Sequence, residues 1–295
     1  MMNDRPNIFV GIDASWRNSS ALDWALRESH LRGQPIRAVH VIEDKLPFGP
    51  ESTAPGVERA AKRLVADVAD YLADHDEAIG HSTDILTGRP AAKLGTAAAN
   101  AGASMLIVGR MGSGRLARLL IGSTAEAITH LAELPVVVVP DAWNPHHPGA
   151  PVVVGVDESE EDNAALAFAA TAAVQREAPL RLVRVWDLPG MYSWDAASVT
   201  DLYDGWFDQS DKHLQAIADK WRVKYPQLDI HAETRRGHPV AGLIAAAEET
   251  KAELLVLGGR THRRLTAMLL GSTARGVLHH APCPVAVVHE PRDGQ

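Results

Sequence analysis

Residues 109–125 read Gly-Arg-Met-Gly-Ser-Gly-Arg-Leu-Ala-Arg-Leu-Leu-Ile-Gly-Ser-Thr-Ala, and residues 258–274 read Gly-Gly-Arg-Thr-His-Arg-Arg-Leu-Thr-Ala-Met-Leu-Leu-Gly-Ser-Thr-Ala. The offset is 149 positions, about half of the 295-residue chain, which marks a duplicated domain. Each stretch follows an apolar, strand-like run (Met105–Val108 and Leu254–Leu257) and ends in Gly-Ser-Thr before a helical pattern. A strand, a glycine loop and a helix start in succession offer backbone N–H groups to a phosphate.

The repetition extends outward from these loops. Asn7–Ser15 matches Pro151–Ser159 and Arg37–Val41 matches Arg181–Val185, both at an offset of 144. Thr87–Ala91 matches Arg236–Val240, and Leu134–Pro140 matches Cys283–His289, at 149. The second copy therefore carries five extra residues between Asp187 and Ile230. Two domains follow, 1–141 and 151–291, each of ordinary domain size. Proline-rich Asp141–Ala150 reads as the linker, with His146 and His147 solvated rather than metal-bound.

Within the first copy, Ile8–Ile12, Ile36–Ile42, Ser82–Leu86, Met105–Val108 and Val136–Val139 read as strands. The first and last two are continuous apolar runs, as suits strands covered on both faces. Ser20 and Asp23 resemble a capping box, with Leu22, Ala25, Leu26 and Ser29 on one face and Gly33 as the stop. Asn163 is the matching cap in the second copy, and Pro90 and Pro239 suit the first turn of the third helix in each half. Strands alternating with helices imply βα crossovers, a parallel sheet and a doubly wound, Rossmann-like α/β fold in each half.

Composition is that of a globular protein, 46% hydrophobic and 22% charged. The net charge is −8 and neither half is basic, which argues against a nucleic-acid surface. There is no apolar leader and no run of about 20 apolar residues, so neither export nor a membrane span is expected. The single cysteine, Cys283, excludes an intrachain disulfide, fits a cytoplasmic location and reads as a small buried residue. Trp186, Trp194, Trp206 and Trp221 cluster in the second copy around its longer connection, where they are expected to pack the insertion or line an interface.

Gly109 permits a sharp strand exit, while Gly112 and Gly114 let backbone approach a bulky anion. Gly122, Ser123 and Thr124 sit at the next helix start, with Ser123 and Glu126 as a second capping box. This is no P-loop: the Gly-Lys-Ser/Thr ending is absent and no lysine lies between Lys93 and Lys212. Nor is it a dinucleotide fingerprint, whose glycines follow the first strand rather than the fourth. After the first strand comes Asp13-Ala14-Ser15, whose carboxylate is placed to meet a ribose, an adenine edge or Mg²⁺. No histidine has a sequence reason to join Ser15, Ser19 or Ser20 in a hydrolase triad, and His262 and His279-His280 lack metal-ligand spacing. No catalytic or metal-ligand set is assigned.

Together, Gly-x2-Gly-x9-Gly-Ser, the opening Gly-Ile-Asp-x-Ser and the closing Pro-Val-Val-Val strand resemble the universal stress protein family. Two copies in one chain resemble its tandem class, and the resemblance covers nearly all 295 residues. It implies a five-stranded parallel sheet of order 3-2-1-4-5 per domain, the closing strands of the two domains associating as a pseudo-dimer. It also implies ATP across the carboxyl ends of strands one and four. Asp13 and Val41 would then border adenosine, with Gly11, Ala14 and Ser15 beside them. Gly109, Gly112, Gly122, Ser123 and Thr124 would hold ribose and phosphates, with Arg110, Met111, Ser113, Gly114 and Arg115 completing that loop.

In the second copy the counterparts are Gly155, Asp157, Val185, Gly258, Gly271, Ser272 and Thr273. There Thr261 replaces the second glycine and Arg263 replaces Gly114, with Arg260, Arg263 and Arg264 offering charge in place of close backbone approach. The expected function is an ATP-binding regulator of stress or growth arrest, with unidentified protein partners and a homodimeric state. The alternatives are a slow Mg²⁺-dependent ATPase or phosphotransferase and a nucleotide-free interaction module of the same fold.

Overall fold

The computed structural model describes residues 6–44, 55–75, 78–111, 121–144, 149–157, 164–187, 200–259 and 270–290. The chain forms two compact units, one on the elements of each copy. In the first, β1 (Ile8–Ile12), β2 (Ile36–Ile42), β3 (His81–Thr87), β4 (Met105–Gly109) and β5 (Val136–Val139) alternate with α1 (Ala21–Arg32), α2 (Pro55–Ala73), α3 (Pro90–Asn100) and α4 (Ser123–Leu131). The strand order is β3-β2-β1-β4-β5, every pairing parallel.

The second unit repeats this with β6 (Val152–Gly155), β7 (Leu180–Trp186), β8 (Ile230–Arg236), β9 (Leu254–Gly258) and β10 (Val285–Val288). Its helices are α5 (Ala164–Gln175), α6 (Thr200–Lys224), α7 (Pro239–Thr250) and α8 (Ser272–His280), and its order is β8-β7-β6-β9-β10. Both sheets are therefore doubly wound with the order 3-2-1-4-5. The longer connection of the second copy appears as a helix of 25 residues in α6 against 19 in α2.

The apolar strand runs are covered on both faces. Ile8, Phe9, Val10, Leu106, Ile107 and Val137 are fully buried, as a parallel sheet between two helix layers requires. α1 buries Leu22, Ala25, Leu26 and Ser29 together with Trp24, and it stops at Gly33 in the left-handed conformation (φ 62°). Pro90 and Pro239 occupy the first turns of α3 and α7.

Two expected capping boxes do not form. Ser20 precedes α1, but its Oγ donates to the carbonyl of Asp141 at 2.8 Å instead of capping the helix. The N-cap of α4 is Gly122, and Ser123 is already inside the helix. Asn163, the expected cap of α5, lies outside the described residues.

Three of the four clustered tryptophans bear on α6. Trp206 meets Trp186 edge-on at 6.4 Å, and buried Trp221 stacks on Tyr225 at 5.6 Å. Trp194 lies outside the described residues. Cys283 is buried, and burial pushes its thiol up to about 12, so it stays protonated and unreactive near neutrality.

Candidate nucleotide crevice

In each sheet the chain direction across the sheet reverses beside the first strand, so the helices on either side of that point diverge and leave a crevice at the strands' carboxyl ends. In the first unit this crevice is a cavity of 520 Å³. One end is bounded by Gly109 and Met111 after β4 and by Ile121–Ala125 at the start of α4. The other lies over β1 and β2, at Ile12, His40, Val41 and Glu43, with Pro90 and Leu94 of α3 along the wall. Asp13, Ser15 and Trp16 stand between the two ends. Its size and its mixture of apolar wall and few polar groups are those of a small-molecule site.

Backbone contacts set this shape. The N–H of Arg110 donates to the carbonyl of Val139 (2.7 Å), and the N–H of Gly122 donates to the carbonyl of Arg110 (2.7 Å). The second bond closes the base of the glycine loop and brings Gly109 beside the amino end of α4. The N-cap is Gly122, which has no side chain to cap with, so the first-turn N–H groups of Ser123 and Thr124 have no partner within the helix, and both residues line the cavity. A Cβ on Gly109 would stand 2.5 Å from Ser19 Oγ, and one on Gly11 would stand 2.9 Å from Leu94. Glycine at these two positions thus allows the close packing of the strand ends.

Asp13 is held by a local turn, its Oδ1 accepting from the Ser15 N–H (2.8 Å) and from Ser15 Oγ. Asp141, just past β5, has its carboxyl raised above the ordinary value, chiefly by burial and further by the nearby Asp13 charge, with Arg110 opposing. A carboxyl raised in the folded state favours folding below its unfolded value and loses that contribution as pH climbs through the raised one. Asp141→Asn should therefore raise the thermal midpoint at neutral pH, and the gain should vanish when the melt is repeated in acid. A midpoint that falls at neutral pH would contradict this.

Of the residues singled out in the first copy, Gly11, Asp13, Ser15, Val41, Gly109, Met111, Gly122, Ser123 and Thr124 come together on the cavity wall. Ala14 and Arg110 lie beside it rather than on it, while Gly112, Ser113, Gly114 and Arg115 fall outside the described residues. Sequence reasoning missed Trp16, Ser19, Leu22, His40, Glu43, Pro90, Leu94 and Ile121. His40 was legible in principle, since it precedes Val41 on the strand that pairs with β1, in register with Ile12.

The second unit keeps much of this framework. A Cβ on Gly155 would meet Leu257 at 2.9 Å and Leu243 at 3.3 Å, the counterparts of Val108 and Leu94 around Gly11, and Val185 packs where a Cβ on Gly242 would come within 2.7 Å. Asp157 is exposed after β6, and Gly271 caps α8 ahead of Ser272 and Thr273. The exit from β9 differs. Among the described residues a Cβ on Gly258 would meet nothing within 4 Å, whereas one on Gly259 would fall 2.1 Å from the buried ring of His289. Arg260, Thr261, Arg263 and Arg264 lie outside the described residues, as do His146, His147 and His262. Among the described residues no three His, Cys, Asp or Glu side chains gather as a cation cage, and no helix is long and apolar enough to cross a membrane.

Two duplicated, doubly wound α/β domains, the first with a crevice at its switch point, define the class of protein. The model of the universal stress protein family matches residues 5–140 and 150–289, so the chain belongs to that family. A universal stress protein of Mycolicibacterium smegmatis is 31% identical over 294 residues, covering 95% of this chain and 96% of that one. One of Mycobacterium tuberculosis is 30% identical over 299 residues, covering 98% of both. Among solved structures, a universal stress protein of Archaeoglobus fulgidus has the same fold, with a TM-score of 0.68 at 21% identity over 97% of this chain and 99% of that one.

Proposed function

We propose that this universal stress protein binds ATP in the first-copy crevice and acts as a cytoplasmic, nucleotide-dependent regulator in a stress or growth-arrest response. The observation that carries the reading is the crevice itself. A 520 Å³ cavity has a helix start with a glycine N-cap and strand-exit glycines at one end, an apolar slot at the other and a fixed carboxylate between. Those ends suit phosphates and a base respectively, and Asp13 suits the ribose or a phosphate-bound Mg²⁺. The residue roles given above, the domain limits 1–141 and 151–291, a homodimer and closing-strand association of the two halves belong to the same proposal.

The second copy is proposed to bind nucleotide more weakly or not at all, because Thr261 puts a side chain where Gly112 leaves backbone. Mass spectrometry of the protein purified without added nucleotide should find adenine nucleotide, and Asp13→Ala should lose it while Asp157→Ala keeps it. Loss in Asp157→Ala alone would reverse the ranking. Recovery of no nucleotide, with no binding on titration, would support a nucleotide-free module.

A further inference from the structure

His40 stands in the floor of the crevice with its ring orientation fixed from behind. Its Nδ1 lies 3.0 Å from the carbonyl oxygen of Ile12, the residue in register with it on the neighbouring parallel strand. A carbonyl oxygen only accepts, so Nδ1 must carry the proton. With Nδ1 as the donor, the acceptor lone pair of an imidazole lies at Nε2, and no rotation of the ring exchanges the two nitrogens without breaking the bond to Ile12. Among the described residues it is the one imidazole in the lining, and its strand β2 lies across β1 from β4, whose exit carries Gly109.

Granted the reading of this crevice as a nucleotide site, phosphates at the α4 end carry the base toward β1 and β2, where His40 lies. We infer that His40 is a specificity-determining residue: its Nε2 accepts a hydrogen bond from the exocyclic amino group of a 6-aminopurine and rejects a 6-oxopurine. With a 6-oxo base, two acceptors would face each other, and a buried acceptor left unpaired is more costly than the bond it replaces. Glu43 is also an acceptor in the lining, but it is exposed at the mouth, where water competes for it and screens its charge. The half-buried, hydrogen-bonded imidazole is the acceptor with a set direction.

The test is calorimetric titration of the full chain with ATP and with ITP, the first-copy component being the one that Asp13→Ala removes. Wild type should prefer ATP over ITP by about tenfold in that component. His40→Ala and the ring-sized His40→Phe should bring the two ligands within about twofold of each other, whatever either variant does to stability. An unchanged ratio in a folded variant would show that His40 only braces the ends of β1 and β2, or that Glu43 selects the base. Equal wild-type affinities would overturn the inference with no variant needed, while leaving nucleotide binding intact. Absence of any Asp13-sensitive ATP component would instead remove the nucleotide reading itself.

Discussion

Arg176→Met is expected to lower folding stability by about 3–5 kcal/mol, measured by chemical denaturation. Arg176 follows α5, and its Nε donates to Oε1 of Glu253 at 2.8 Å, with side-chain exposures of 0% and 7%. Its Nη1 also donates to the carbonyl of Ala172, and the Glu253 N–H donates to the carbonyl of Pro151, so the pair ties α5 to the starts of β6 and β9. Removing the guanidinium takes a cation away from a carboxylate in a nearly dry place, where a charge is costly, and that cost is the source of the loss. The double replacement Arg176→Met with Glu253→Leu should recover most of it, because a well-packed apolar pair often matches a buried ion pair. A double variant as unstable as the single one would show that packing, not the stranded charge, dominates. By contrast, Lys62 and Glu58 are 67% and 58% exposed, and breaking that pair should leave the denaturation midpoint essentially unchanged.

Gly109→Val should weaken ATP binding by about 1–3 kcal/mol, roughly 5- to 150-fold. Its Cβ would stand 2.5 Å from Ser19 Oγ and 3.4 Å from the carbonyl of Met111, both at the end of the crevice assigned to phosphates. Either Ser19 withdraws or the strand exit shifts, and both alter where the loop base presents its N–H groups. The repeat supplies an internal comparison, because a Cβ at Gly258 meets nothing within 4 Å among the described residues. Gly258→Val should leave both the fold and the first-copy affinity as they are. Equal losses from the two substitutions would mean that the crevice geometry is not what governs binding.

The architecture was legible because the chain states it twice and because buried parallel strands read as unbroken apolar runs, as in Val136–Val139. Glycines and prolines located turns correctly at Gly33, Pro90 and Pro239, where local backbone chemistry decides the outcome. The errors fall where a distant partner outbids a local one. Ser20 has the right neighbours for a cap, yet the Asp141 carbonyl, 121 residues away in sequence, takes its hydroxyl. In Gly122-Ser123-Thr124 the cap is Gly122, whose N–H donates to the Arg110 carbonyl, a contact that no spacing rule encodes.

The crevice was half legible for the same reason. Glycines and Asp13 announce themselves by type, whereas Trp16, His40 and Leu94 join the wall only once β1, β2 and α3 are brought side by side. Register and helix packing are long-range properties, and they turn an unremarked histidine on a strand into a directed acceptor.

Calorimetric titration of the full chain with ATP, beside the Asp13→Ala variant, tests the central claim most directly. The account predicts a saturable component in the wild type that Asp13→Ala weakens or removes while the thermal melt shows the variant still folded. ATP heats that are absent from the wild type, or identical in the two proteins, would contradict it.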